Sequence, residues 1–347
     1  MMSSEASHTD QQPVLKIENL QTHFRTDTGV VKAVDGVSFS VPRGKTVCVV
    51  GESGCGKSVT GRSILQVVDK PGEVVGGRIW WRPDATAPAS DLAALDPRGD
   101  EIRRIRGNEI AMIFQEPMTA LSPVHTVGSQ IAEAIRLHGD FDADAARART
   151  IEVMAQVGLP RPEDRFDAYT FQLSGGMRQR AMIAMALACR PDLLIADEPT
   201  TALDVTTQAQ ILRLLARLQT EMTMSVLFVT HDMGVVAQIA DEVVVMYLGT
   251  VVETGPTEQI FTVPRHPYTA ALLDAIPRLG QRRRGERLTT IRGSVPGPHD
   301  RPVGCPFHPR CDFARPGVCD TREPETVQLG PRRSVRCVLA EETTVLA

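Results

Sequence analysis

The stretch Gln172–Asp204, QLSGGMRQRAMIAMALACRPDLLIADEPTTALD, decides how the rest of the chain is read. Ser174, Gly175 and Gly176 stand directly before a long run of helical character. They predict a helix N-terminus whose free N–H groups and partial positive charge suit an anion. An apolar strand-like run, Leu193–Asp197, follows and ends in adjacent carboxylates, Asp197 and Glu198. Successive side chains along a strand point in different directions, so the two acids need not share a role. Asp197, at the strand end, suits Mg²⁺, directly or through water, and Glu198 could polarise an attacking water as a general base. Alone, such a strand end more often carries two solvated acids. A phosphate site upstream changes that balance.

That site is GESGCGKS, Gly51–Ser58, which fits G-x-x-x-x-G-K-[ST]. It lies where the pattern has physical meaning, after the continuous apolar run of KTVCVVG and before the helical SVTGRSILQVV. Gly51, Gly54 and Gly56 let the backbone take positive φ and wrap its N–H groups round phosphate, with Ser53 and Cys55 in the same loop. Lys57 is placed to neutralise the β- and γ-phosphates and Ser58 to ligate Mg²⁺. The Ser174–Gly176 turn is then a second anion cradle, and one nucleotide does not need two in the same subunit.

Around these motifs the chain reads as an α/β protein. Val14–Val41 alternates like antiparallel strands, and residues 71–103 look irregular apart from the strand-like GGRIWW. Val127–Gly158 has helical periodicity, and Ser225–Thr230 is another apolar strand. DEVVVMYLGTVVETG reads as a hairpin turning at Gly249. From about His266 onward Pro and Arg rise and periodicity fades. The 347 residues are 42% hydrophobic and 23% charged with net charge −4, so no basic field favours nucleic acid. The longest apolar run, Ala181–Cys189, is far short of the roughly 20 residues that span a bilayer. Residues 1–12 predict a disordered tail without a secretory signal, and QRRRGER (Gln281–Arg287) a solvated linker.

Read together, the motifs resemble those of ATP-binding cassette (ABC) proteins over roughly Val14–Pro264. Ser174-Gly175-Gly176 matches the signature, which in that family faces nucleotide held by the partner subunit. Gln115 in IFQEP matches the Q-loop glutamine, a further Mg²⁺ contact; TALD, ending at Asp204, matches the D-loop; His231 in VTHDM matches the switch histidine that contacts the γ-phosphate. The family stacks an aromatic residue on adenine, for which Phe24 is the candidate, although a core Phe is as natural a reading. The resemblance implies an α/β P-loop ABC-type ATPase with an antiparallel β subdomain. Residues 13–265 would form the ATP-binding domain, with a helical subdomain at about 105–175, and 266–347 a small extension.

MIFQEPMTALSPVHTVGSQIAEA, RHPYTAALLDAIP and GSVPGP…GCPFHPRC look like the ATP-binding subunits of oligopeptide and dipeptide importers. The residues before the signature depart from that group: Thr170 and Phe171 stand where relatives commonly have Pro-His or Pro-Phe. The resemblance implies two permease subunits, a second related ATPase, an extracytoplasmic substrate-binding protein, and a place at the cytoplasmic face of the membrane. Nickel chelates, glutathione or glycosides are alternative cargoes. Non-transport ABC ATPases acting on ribosomes or DNA, P-loop kinases or GTPases and exporter halves fit the motifs less well. Finally, Cys305, Cys311, Cys319 and Cys337 are spaced C-x5-C-x7-C-x17-C in a segment with few apolar residues. Four cytosolic thiols there suggest a metal staple, zinc or iron–sulfur, with His308 a further zinc candidate. The resemblance favours a [4Fe-4S] cluster.

Overall fold

The computed structural model describes residues 12–115, 120–201, 203–276, 290–297 and 299–340. The linker expected at Gln281–Arg287 and most of the expected tail lie outside them. The strands are β1 (Leu15–Thr26), β2 (Gly29–Val41), β3 (Thr46–Val50), β4 (Gly72–Trp81), β5 (Ser90–Asp91), β6 (Ile110–Ile113), β7 (Leu193–Asp197), β8 (Ser225–Thr230), β9 (Glu242–Tyr247), β10 (Thr250–Pro256), β11 (Val327–Gly330) and β12 (Arg333–Val335). They make a four-stranded antiparallel sheet, β2-β1-β4-β5, and an eight-stranded sheet, β11-β12-β10-β9-β3-β8-β7-β6. In the larger sheet β3, β6, β7, β8 and β9 pair in parallel.

Parallel strands covered on both faces read as continuous apolar runs, and every residue of β3, β7 and β8 is buried. Their period of two divides the interior. Cys48, Val50, Leu194, Ala196, Val226 and Phe228 join the core beneath the helices. Val47, Val49, Leu193, Ile195, Leu227 and Val229 join the core shared with the antiparallel sheet. The helix-side core takes in α3 (Val127–His138), α4 (Ala143–Gln156), α6 (Gly175–Leu187) and α7 (Val205–Met222). The other holds α1 (Lys57–Ile64) and α2 (Asp100–Ile105). Shorter helices are α5 (Pro162–Phe166), α8 (Met233–Ile239), α9 (Thr257–Thr262) and α10 (Pro267–Asp274).

The supposedly irregular stretch 71–103 is more ordered than its composition suggests. β4 runs ten residues and pairs with β1 along most of its length. Its glycines hide the alternation. At Gly77, φ is +88° and a Cβ would sit 2.4 Å from the Asn19 carbonyl, so a strand former cannot stand there. The β9–β10 hairpin turns at Leu248–Gly249 as its sequence predicts. The change in composition near His266 does not end the sheet, because β12 pairs with β10 and β11 with β12. Buried Arg333 pairs with Glu253 at 3.2 Å, and the same carboxylate accepts the N–H groups of Arg265 and His266. Among the described residues no helix is long and apolar enough to cross a membrane.

Candidate functional site

The loop Gly51–Gly56 joins the C-terminal end of β3 to α1, the usual place for a ligand crevice in a parallel sheet. Gly54 and Gly56 take φ of +79° and +96°, and a Cβ on Gly56 would lie 2.2 Å from the Ala33 carbonyl. Only glycine closes this turn. Lys57 is buried and its Nζ donates to the carbonyls of Gly51 (2.8 Å) and Glu52 (2.9 Å). Cys55 is buried beside that amine, and burial, partly opposed by Lys57, raises its thiol pKa.

Ser58, in the first turn of α1, donates to Asp197 Oδ1 at 2.8 Å. The other carboxylate oxygen of Asp197 is buried and has no hydrogen-bond partner. Desolvation raises the Asp197 pKa, with the Ser58 bond only partly offsetting it. An oxygen pair of this kind, one hydroxyl and one uncompensated buried carboxylate, is the donor chemistry a hard Mg²⁺ ion takes. The residues fit the ion.

Glu198 is held differently. Its φ is +46°, an uncommon backbone conformation for a side-chain-bearing residue, and its N–H donates to the Val229 carbonyl. Its carboxylate accepts from His231 Nδ1 (3.0 Å), Thr201 Oγ1 (2.8 Å) and Gln115 Nε2 (3.1 Å). Burial alone would raise its pKa, but the bonds from His231 and Thr201 and nearby positive charge bring it below the ordinary carboxylate value. So the two adjacent acids are driven apart, and the structure brings Gln115, Glu198 and His231 together from residues 83 and 33 apart in sequence. Thr201, which the sequence offers as the first residue of TALD, joins this group through its hydroxyl, a role the motif itself does not signal.

The signature lies elsewhere. Ser174 caps α6, its Oγ accepting the Met177 N–H. A Cβ on Gly175 would meet nothing within 4 Å. Asp204 caps α7, accepting the N–H (3.0 Å) and hydroxyl (2.6 Å) of Thr207. Both helix starts open on one surface cleft of about 470 Å³, lined by Ser174–Met177, Arg180, Leu203, Asp204, Thr207 and Gln210. No phosphate-loop residue lines it. Phe24, half-buried in β1, packs over Gly72, where a Cβ would lie 2.6 Å from its ring. That contact is part of the sheet's own packing.

Cys305, Cys311, Cys319 and Cys337 converge. All four line one cavity of about 20 Å³ together with His266, Phe307 and His308. The sulfurs of Cys319 and Cys337 accept the backbone N–H groups of Arg315 (3.3 Å) and Leu339 (3.4 Å). Burial pushes the free thiols of Cys311 and Cys337 up to about 11 and about 12. His266 accepts the Tyr268 N–H at Nδ1, which places its proton on Nε2, a buried atom without a partner. His308 spends its Nδ1 on the Cys305 carbonyl. Yet among the described residues no three His, Cys, Asp or Glu side chains stand together as ready ligands for a metal ion. The expected cluster is therefore not formed as a ligand set, although the thiols share a cavity.

Residues 34–201 match the family model described as ABC transporter, and residues 252–319 that described as oligopeptide/dipeptide transporter, C-terminal region. A Brucella ovis chain named as a peptide import ATP-binding protein is 50% identical over 96% of this chain and 98% of its own. The dipeptide transport ATP-binding protein DppD of Escherichia coli is 47% identical, over 93% of this chain and 96% of its own. Among solved structures, the ATP-binding cassette MJ0796, a post-hydrolysis dimer bound to ADP and Pi, superposes with a TM-score of 0.61 at 27% identity. It covers 70% of this chain and 98% of that one. The first model spans the phosphate loop, Gln115, the signature and Glu198, and the second takes in three of the four converging cysteines. The chain belongs to the ABC transporter family of ATPases, in the group that carries the oligopeptide/dipeptide transporter C-terminal region.

Proposed function

We propose that this protein is the ATP-hydrolysing subunit of a di- or oligopeptide importer. It would sit at the cytoplasmic face of the membrane beneath two permease subunits, fed by an extracytoplasmic binding protein, and pair with a second, related ATPase. The observation that carries the chemistry is the pair of acids with opposite environments: Asp197 with a bare buried oxygen beside Ser58, and Glu198 ionised under three donors. Loop backbone from Gly51 to Gly56, with Lys57, would hold the ATP phosphates, and Phe24 is the candidate support for adenine. Ser58, Asp197 and Gln115 would hold Mg²⁺, which when bound spreads negative charge off the phosphates. Glu198 would take the proton of the attacking water. Gln115 and His231 both donate to the Glu198 carboxylate. Entry of MgATP would draw them off the base and onto the metal and γ-phosphate. The open cleft at Ser174, Gly175 and Gly176, next to Asp204, supports a signature that acts on nucleotide held by the partner ATPase. Residues 13–265 would be the catalytic domain and 266–347 the extension.

The four cysteines are proposed to hold a [4Fe-4S] cluster. A zinc ion needs four sulfurs drawn to about 2.3 Å from one point. A cubane would be held by the four thiolates, and the N–H donors that Arg315 and Leu339 offer to Cys319 and Cys337 would suit it. The experiment for the whole reading is reconstitution with the permease and binding proteins encoded beside it, followed by uptake of labelled dipeptides. ATP-dependent uptake is expected, blocked by Lys57→Ala. Uptake of nickel chelates, glutathione or glycosides in place of peptides would replace the cargo, and hydrolysis with no uptake of any of them would remove the importer.

A further inference from the structure

We infer that Arg310 is a positioning residue for the phosphate loop, acting from the C-terminal segment through Glu52. The inference rests on reading Gly51–Ser58 as the nucleotide site. Glu52 is the second residue of that loop, and the C-terminal part of the chain grips it twice. Buried Arg310 forks onto its carboxylate, Nη1 to Oε2 at 2.6 Å and Nη2 to Oε1 at 3.0 Å. The Glu52 N–H donates to the Tyr268 hydroxyl at 2.8 Å. Arg310 is itself fixed. Its Nε donates to the Arg292 carbonyl, its Nη1 reaches the Tyr247 hydroxyl, and its guanidinium carbon lies 5.8 Å and 5.9 Å from the ring centres of Tyr247 and Phe307.

A two-pronged guanidinium–carboxylate pair fixes orientation as well as distance, and a buried one cannot swing to another acceptor without leaving a charge unpaired. The grip falls on the residue after Gly51, where a Cβ would already lie 2.2 Å from the Met246 carbonyl, so the loop has no slack on its β9 side. A second arm reaches the far side of the loop. Arg301 binds Asp35 at 3.0 Å, the Asp35 N–H donates to the Gly249 carbonyl, and the Gly249 N–H donates to the Cys55 carbonyl at 3.0 Å. The loop is thus held in its wrapped form by contacts from the chain itself. Holding a binding loop in its bound shape removes part of the ordering cost of binding. At saturating ATP the nucleotide itself orders the loop, so the clamp should act on affinity and leave turnover nearly alone.

The test uses the full chain, alone for MgATP affinity and in the assembled transporter for kinetics. Glu52→Gln keeps the side chain's shape and Arg310→Met keeps bulk, while each abolishes the fork. Each should raise the MgATP Kd about five- to tenfold, and Arg310→Met, which lies outside the loop, should raise KM alike with kcat held within about twofold. The double variant should be no worse than either single, because the two groups act as one unit. Arg310→Lys should restore only part of the affinity, since an ammonium cannot span both oxygens. Unchanged affinity in Glu52→Gln, or losses that add in the double variant, would overturn the clamp. A wild-type chain that bound no MgATP would overturn the nucleotide reading instead.

Discussion

Two neighbouring carboxylates in this chain stand in different surroundings, and the consequence of each difference can be measured. Glu198→Gln keeps volume and can still accept from Thr201, but it cannot take a proton. Its MgATP affinity should stay as in wild type, while kcat of the assembled transporter falls by roughly 10²-fold or more. Near-normal turnover would remove Glu198 as the base. Asp197 makes the opposite case. Its folded pKa is raised by desolvation in the metal-free protein, so the native state binds this proton more tightly than the unfolded chain does. The corresponding stability is present at low pH and is lost as pH rises from the ordinary carboxylate range through the raised one. Asp197→Asn removes the uncompensated charge. In EDTA at pH 7 it should be more stable than wild type by about 1 kcal/mol, with the gap closing toward pH 4, while Mg²⁺-dependent hydrolysis is lost. Equal melting at pH 7 would show that the bare oxygen costs nothing. Both acids were legible in LLIADEP, where alternation already gave them separate directions. Their opposite pKa shifts were not legible, because His231, Thr201 and Gln115 reach Glu198 from three other segments.

Helix starts carry the second tier of function. Ser174 and Asp204 are each the N-cap of a long helix, so the signature and D-loop motifs are also capping sequences, and a side chain close to the chain's own stability borders the same cleft. Gly175 separates the two roles. Its backbone is not in the left-handed region and a Cβ there meets nothing, so Gly175→Glu should fold normally. In the isolated chain MgATP affinity should not change. In the assembled transporter the new carboxylate would face phosphate across the interface, and hydrolysis should drop by roughly 10²-fold. Loss of nucleotide binding by the isolated chain would place the cradle in the same subunit's site. At this scale the sequence was informative wherever apolar runs or caps were strong, as in β3, β7, β8, α6 and α7. It found only the GGRIWW end of β4, because Gly72, Gly76 and Gly77 break the alternation that would have announced the whole strand. Phe24 shows the same limit, since only the structure reveals that its ring is already packed over Gly72.

Across the whole molecule, the C-terminal segment is too poor in apolar residues to stand alone, yet it is bound into the catalytic unit at three places. β12 extends the main sheet, Phe307 enters the helix-side core against Tyr247 and Tyr268, and Arg301 and Arg310 reach toward the phosphate loop. No local pattern encodes such contacts, because Glu52 and Arg310 are 258 residues apart. The cysteine spacing was legible in the sequence. Its geometry ties Cys305, Cys311 and Cys319, which lie in a loop, to Cys337, two residues beyond the end of a strand of the sheet. A cluster held by all four would therefore close the segment onto the main body, and its loss should be felt locally. Anaerobically purified protein should be brown and carry about four irons per chain. Cys337→Ser should bleach it and open the 305–337 segment to limited proteolysis, because Cys337 is the one of the four that directly follows a strand of the sheet. The melting of the parallel core should move less, since Phe307, Cys305 and Cys311 touch only its helix-side half and the half shared with the antiparallel sheet has no cysteine of that cavity. One zinc per chain in a colourless preparation would replace the cluster with a structural ion. A metal-free preparation with four titratable thiols would leave the cavity as packing alone, and in that case Cys337→Ser should change neither colour nor proteolysis.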